Sequence, residues 1–517
     1  MNANSQNKHT YQLKLGHTYK KPIKRIIPYA VLALFSGNSL AEDYAWFYPF
    51  DPNARIPDME SACIAATQKF STLNGYTWVS GAVYGYYQSY YPTPVQCIST
   101  WVNKSGQIVT SHGYNAFIIY RTGTGCSEGK TFNPSTGACG FDEQKGAPSP
   151  MSCAGNPVNL TIGNKYERVQ DYSSTGQDLG FSRVYNSLDG YWRHNFSTHL
   201  RIVGEKSISL IHADGKEEHF TFINNIITPG LNSLGSLIKT TSGWEYTSID
   251  NERLKFDQSG KLSEQTSTKG YTSHIIYTAE KITVTDNIGN SLNFTEDSRN
   301  QPLTMSSQGF SITYGYDSEN RLLTVSRISG TTIEHTTMVY EDSRDSKLLT
   351  GITDTNGVRI ATWEYDAQGR ATSSAHVNGT DKVSLVYNTD GSTAVTNEYG
   401  KKTIYKFQII QGIKRITAIE GEPTPNCPSS NSKFTYDTRG LLKTKADAKG
   451  NLTTYEYNDR ALETSRTEAS GSAQARTITT EWHPTLFLKT KVTEPNRIIT
   501  YQYDTQGRQT GQTITPR

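Results

Sequence analysis

Apolar positions fall at helical spacing in one place only: Met59, Cys63, Ala66 and Phe70 recur behind an Asp58 placed to cap a helix over residues 58–71. Elsewhere the alternation has the period of two that belongs to strands, in short runs rich in aromatic and β-branched residues. Runs at 76–91, 97–102 and 114–120 follow the predicted helix. From Cys153 to Arg517 the texture is strand, tight turn, strand, with Gly, Asn and Asp at the turns.

A repeat is embedded in that second texture. An aromatic residue is followed by Asp or Asn, two variable residues, Gly, and often Arg or Leu. It is clearest at Tyr365-Asp366 with Gly369-Arg370, at Tyr436-Asp437 with Gly440, and at Tyr503-Asp504 with Gly507-Arg508. Worn copies begin at Phe256, Tyr316-Asp317, Tyr387 and Tyr457, with weaker aromatic marks at Tyr277, Phe294, Tyr340, Tyr405 and Trp482. Most steps run from 17 to 25 residues; the step from Tyr405 to Tyr436 is longer and contains Cys427. In a Tyr-x-Tyr-Asp strand such as 501–504 both tyrosines share one face. Asp bonds the amides ahead of it and Gly supplies the positive φ of a tight turn. One repeat is therefore two strands and two turns, too thin to bury both faces alone, and successive repeats must pair side by side into one long twisted sheet.

The N-terminus reads differently. Lys20, Lys21, Lys24 and Arg25 precede the apolar run 26–35, and Ser39-Leu40-Ala41 offers small residues to a signal peptidase, so residues 1–41 read as an export signal. A ten-residue run with Pro28 inside it is too short for a membrane anchor, since a span needs about 18 or more apolar residues. The remaining organisation is a disulfide-containing domain at 42–145, a linker at 146–150 opening an entry region that runs to 235, and the repeats at 236–517. Five of six cysteines fall within 63–153. Cys63 with Cys97 and Cys126 with Cys139 would each close a local loop, whereas Cys153 and Cys427 either pair or stay free.

Composition narrows the function classes. Lys+Arg 51 against Asp+Glu 48 gives a net charge of +3, and removing the six basic residues of the export segment leaves 45 against 48. That balance offers no basic field for nucleic acid. With 42 Gly, 32 Tyr and 17 Phe, a helical bundle is excluded.

These motifs resemble the Rhs/YD-repeat family, whose pattern is Tyr-Asp-x-x-Gly-Arg-Leu at this period. Copies span about residues 250–517. Ahead of them Gly155-Asn-Pro-Val-Asn159, Gly163-Asn-Lys165, Asp171-Tyr172, Arg183-Val-Tyr-Asn186, Tyr191-Trp-Arg-His-Asn195 and Ala213-Asp-Gly-Lys216 look like the domain that precedes the repeats in bacterial Rhs proteins. The resemblance implies a mainly β protein: a long antiparallel β-hairpin ribbon spiralling toward a partial shell, preceded by a small disulfide-stapled α+β domain. In bacterial relatives such shells enclose a C-terminal toxin, and the expected role is a non-enzymatic scaffold of an exported polymorphic toxin used in intercellular competition. The family's Asp-Pro-x-Gly-Leu cleavage segment is missing from these 517 residues, so the chain reads as the front part of a longer protein or a relic of one. The expected partners are a C-terminal toxin or further repeats encoded downstream. The alternative is a surface adhesin or carbohydrate-binding protein whose partner is a glycan or cell-surface receptor, with 42–145 as its head.

No catalytic constellation, metal site or cofactor site is predicted. Residues 124–131 miss the spacing of a phosphate-binding loop, since Gly123 lies one residue too far from Gly129-Lys130-Thr131. Ser430 and Lys433 match a serine acyl-transfer spacing by chance. His194, beside Trp192 and Arg193, is the histidine to inspect first, and a hydrogen-bonded turn residue is its favoured reading. The tyrosines are read as filling the sheet's inner face rather than as sugar-stacking platforms.

Overall fold

The computed structural model describes residues 43–86, 94–112, 117–127, 129–174, 179–204, 206–421, 431–504 and 507–517. The export segment and Cys427 lie outside the described residues.

Helix α1 (Met59–Asn74) forms where the spacing places it. The Asp58 carboxylate accepts from the Ser61 amide at 2.8 Å, satisfying a first-turn donor, and Gly75 ends the helix at φ 66°. Met59, Ala62, Cys63 and Ala66 turn inward onto a six-stranded sheet built from Ala45–Tyr48, Asp51–Ile56, Thr77–Tyr86, Val95–Val102, Ile108–His112 and Ile118–Thr122. Three of these strands, 45–48, 51–56 and 108–112, lie outside the strand runs expected at 76–91, 97–102 and 114–120. The disulfide Cys63–Cys97 ties α1 to this sheet, and Cys126–Cys139 closes the hairpin of Thr131–Phe132 with Cys139–Gly140. Cys153 is free and half-buried.

Residues 146–150 are a strap rather than the expected linker. The Gly146 amide donates to Asn186 Oδ1 at 3.0 Å, the Ala147 amide to Asp214 Oδ2 at 3.2 Å, and Lys145 just ahead bridges Asp142 and Asp189. Both amide partners lie more than 35 residues away, Asn186 buried and Asp214 half-buried.

After the strap come a three-stranded sheet (Tyr166–Ser173, Gly180–Asn186, Trp192–His194) and a four-stranded sheet (His199–Val203, Ser207–Ile211, Glu217–Ile223, Ile226–Pro229). From Ser236–Lys239 to Gln509–Pro516 the described residues form a single 26-stranded antiparallel sheet, every strand pairing with its sequence neighbours. This is the hairpin ribbon the repeat requires, and it returns on itself: Arg508 in the last turn stands against the turn at Gly270, and Gly507 approaches Asn251.

One hydrophobic core joins the entry region to the ribbon, from Val158, Phe181, Tyr185 and Trp192 through Trp244, Phe294, Tyr314 and Trp363 to Val395. The longest strands of the ribbon, Lys402–Ile410 and Ile413–Gly421, absorb extra residues of the 405–436 step as an elongated hairpin.

Candidate functional surface: the inner face of the ribbon

The clearest repeats share one arrangement of the turn. At Asp366, Oδ1 accepts from the amides of Gln368 and Arg370 at 2.9 and 3.0 Å, while Oδ2 takes the Arg370 guanidinium at 2.8 Å. Gly369 sits at φ 73° and closes the turn through its amide to Asp366 O. The same cage recurs at Asp317 with Arg321 and at Asp504 with Arg508. At Asp437 the guanidinium comes instead from Arg439, and Leu441 supplies only its amide. Where Gly is missing, Asn320 takes the left-handed position at φ 61°. A register shift just before the turn, as between Glu364 and Tyr365 and between Gly315 and Tyr316, is the bulge that strengthens the ribbon's twist.

The repeat tyrosines lock each hairpin to the one before. Tyr316 donates to Pro302 O, Tyr365 to Leu349 O, Tyr387 to Ala371 O, Tyr436 to Ile416 O, Tyr457 to Leu442 O and Tyr503 to Lys489 O, all between 2.7 and 2.9 Å. Trp482 does the same through its indole N–H to Glu463 O at 2.8 Å. These rings are structural struts with committed polar tips.

The first part of the inner face is occupied by the entry region. Tyr185 donates to Lys347 O at 2.7 Å and accepts from the Leu349 amide at 2.9 Å; Trp192 donates to Tyr340 at 3.1 Å; Tyr314 donates to Asp171 at 2.8 Å. Asp171 also pairs with Arg183 in a buried bridge at 2.9 Å, and Arg327 caps the Asp171 carbonyl. Lys165 is fully buried: its ammonium bonds Asn156 O, Tyr166 O at 2.6 Å and Glu167 at 2.6 Å, and lies 4.2 Å from the centre of the Trp363 ring. Burial pulls this lysine down to about 8, against the pull of Glu167. Its place in the Gly163-Asn-Lys165 motif marked it as an entry residue, but no local signal shows that a ring some 200 positions away would receive it. Gly163 is held close: a Cβ there would meet Arg370 Cβ at 2.4 Å.

Beyond Val395 the lining changes. Ile416, Ala418, Phe434, Leu462 and Phe487 are buried, but Tyr405, Phe407, Tyr436, Tyr455, Tyr457, Trp482, Tyr501 and Tyr503 are only half-buried. Along Leu452–Tyr457 the outward Glu456 is exposed while its neighbours Tyr455 and Tyr457 are partly covered. Tyr277, Phe310, Tyr316, Tyr340 and Tyr387 are half-buried as well, but they pack on the shared core, as Tyr405 and Phe407 do; the half-buried rings from Tyr436 onward lie outside it.

The candidate chemistry falls into place as structure. His194 is 1% exposed; its Nε2 meets Glu296 at 2.8 Å, its Nδ1 accepts from the Phe196 amide, and its ring stacks on Phe181. It joins entry region to ribbon. Ser430 lies outside the described residues, so its spacing to Lys433 has no geometry to report. Gly129 and Lys130 belong to the disulfide-closed staple, where Lys130 pairs with Asp43 at 3.0 Å. Among the described residues no cluster of three His, Cys, Asp or Glu side chains forms a metal site, and no helix is long and apolar enough to cross a membrane.

A family model described as a domain of unknown function, DUF6531, matches residues 155–220, the entry region that fills the ribbon. No curated protein matches the sequence. Among solved structures, the crystal structure of TcdB2-TccC3-TEV is similar over 84% of this chain and 27% of that one, at 11% identity and a TM-score of 0.36. A structure of the Photorhabdus luminescens Tc holotoxin pore is similar over 82% of this chain and 25% of that one, at 10% identity and a TM-score of 0.27. A porin-like protein from Bacteroides uniformis overlays 55% of this chain, at 10% identity and a TM-score of 0.15. The chain spans about a quarter of the length of the first two of these chains.

Proposed function

We propose that this chain is the architectural, non-enzymatic part of an exported toxin-associated shell, in which the ribbon encloses another stretch of polypeptide. The carrying observation is the change in lining. Up to Phe407 the ribbon's aromatic face packs on the core it shares with the entry region; from Tyr436 to Tyr503 the same alternating face carries half-buried rings that lie outside that core. The hydroxyls of Tyr436, Tyr457 and Tyr503 are already bonded to backbone, so these half-buried rings offer mainly apolar contact. Such a wall holds an extended segment without binding any one sequence tightly. The repeat's resemblance to Rhs proteins supports the same role, with a toxin or further repeats encoded downstream as the enclosed partner and competition between cells as its use. Export is supported by the basic and apolar leader and by two disulfides, which persist in oxidising compartments.

The test is site-specific photo-crosslinking in the native host. A photoreactive phenylalanine at Tyr457, on the inner face, should give adducts to a polypeptide encoded beside this chain, while the same group at the outward Glu456 should give none. Adducts from Glu456 alone, or no adduct from either position, would contradict enclosure.

A further inference from the structure

The elongated hairpin Lys402–Ile410 and Ile413–Gly421 reaches back to the N-terminal domain. Its turn, with Gln411 at φ 52° and Gly412 at φ 79°, rests on Lys130 and Thr131, so closely that a Cβ on Gly412 would stand 3.0 Å from Lys130 O. Hairpin, disulfide staple and the strand Glu217–Ile223 together wall a cavity of about 450 Å³ whose apolar side is Phe132, Phe220 and Pro229.

On its polar side Glu143, His219, Asn232 and Gln411 stand together. The Glu143 carboxylate, 8% exposed, accepts from Asn232 Nδ2 at 2.7 Å and stands 3.8 Å from His219 Nε2. Asn232 Nδ2 also donates to Gln411 O at 3.2 Å, so both of its amide protons face acceptors and its carbonyl orientation is fixed. Three buried atoms here have no hydrogen-bond partner among the described residues: Asn232 Oδ1, Gln411 Oε1 and His219 Nε2.

His219 is 4% exposed and its tautomer follows from its neighbours. The Ser209 hydroxyl proton goes to Ser135 Oγ at 2.8 Å, and that of Ser135 goes to Asn133 Oδ1 at 2.8 Å. The 2.8 Å bond between Ser209 Oγ and His219 Nδ1 must then be donated by the ring. Nε2 is left as a bare lone pair on the cavity side. Burial also holds this histidine down to about 4, so the ring is neutral and accepts. Buried acceptors without donors are costly, and they cluster where a donor belongs.

We propose that this cavity binds a primary ammonium carried on an aliphatic stem, as presented by a free diamine or by a lysine side chain. An ammonium brings three donors, no acceptor and a positive charge to match Glu143, and its methylene stem lies against Phe132, Phe220 and Pro229. A sugar hydroxyl fits worse, because each brings its own oxygen into a wall of acceptors while Lys130 at the rim is already engaged by Asp43. This site is independent of the enclosing role of the ribbon.

Isothermal titration of the full chain tests it, with cadaverine and Nα-acetyl-lysine methylamide as probes and 1-pentanol and methyl glucoside as neutral controls. Both ammonium probes should saturate one site. Tighter binding of the lysine derivative would assign the site to peptides, and equal or tighter binding of cadaverine to free amines. Glu143→Gln should weaken binding by about tenfold or more, since it removes the charge from the pairing. Gln411→Asn, which suits the left-handed turn and keeps the hairpin, should weaken it about threefold or more by withdrawing one acceptor. The second variant keeps the test decisive if the first fails to fold in a thermal melt. No saturation with either ammonium probe up to about 10 mM, equal binding of a neutral control, or unchanged affinity in the folded variants would overturn the proposal.

Discussion

Tyr365 and Tyr503 occupy the same place in the repeat and make the same bond to backbone, yet their surroundings differ. Tyr365 is 6% exposed and its bond to Leu349 O is buried, while the bond from Tyr503 to Lys489 O is exposed. Removing a buried donor strands its acceptor, so Tyr365→Phe should cost about 1–2 kcal/mol in urea unfolding, and Tyr503→Phe less than about 0.5 kcal/mol. His219 gives a second residue-level expectation. Its folded value of about 4 lies below the ordinary 6.5, mainly through burial. Between those values the unfolded chain holds the extra proton, so stability is lost as pH falls from 6.5 toward 4. His219→Gln removes that contribution, so the stability of wild type relative to this variant should fall by up to about 1.4 kcal/mol per pH unit as pH drops through that window. A difference independent of pH would show that the ring is not buried in neutral form.

At the scale of elements, turns and braces carry separable costs. Gly369 has positive φ and nothing within 4 Å of a built Cβ, so Gly369→Ala should cost only the backbone term of about 1–2 kcal/mol. Gly163→Ala adds a clash with Arg370 and Tyr387 to the same term and should lower the melting temperature at least twice as much. Opening Cys126–Cys139 by a double Ser substitution should destabilise the staple by about 3 kcal/mol, read from chemical unfolding with and without reductant. What sequence made legible follows the same division. The Asp58 cap, the period-two strands and the Asp-x-x-Gly turns are local, so residues a few positions apart suffice to specify them. The anomalous step after Tyr405 was visible as a length, but its meaning was not, because the docking of Gln411 and Gly412 on residues near 130 is a contact across almost 300 positions. The 146–150 strap failed as a linker for the same reason: its hydrogen-bond partners, Asn186 and Asp214, are invisible to local pattern. The short strands 45–48 and 51–56 escape local pattern because each is brief and Pro49 and Pro52 interrupt the stretch, while tertiary context supplies the pairing.

For the molecule as a whole, entry region and ribbon form one core rather than a domain followed by a repeat array. Trp192 illustrates it: fully buried, packed on Tyr185, bonded through its indole to Tyr340, with its amide on Gln301. A free solenoid loses stability locally when one repeat is damaged. Here a defect in the entry region should propagate into strands more than 100 residues away. Trp192→Ala should cost about 3–5 kcal/mol as a large buried ring is lost. The decisive measurement is native-state hydrogen exchange on wild type and Trp192→Ala, following amides in Gly180–Asn186, Phe310–Tyr316 and Arg359–Tyr365. A ribbon wound on its entry region predicts one shared opening free energy for all three, lowered together and by the same amount in the variant. Ribbon strands that keep wild-type protection while 180–186 loses it would contradict that account.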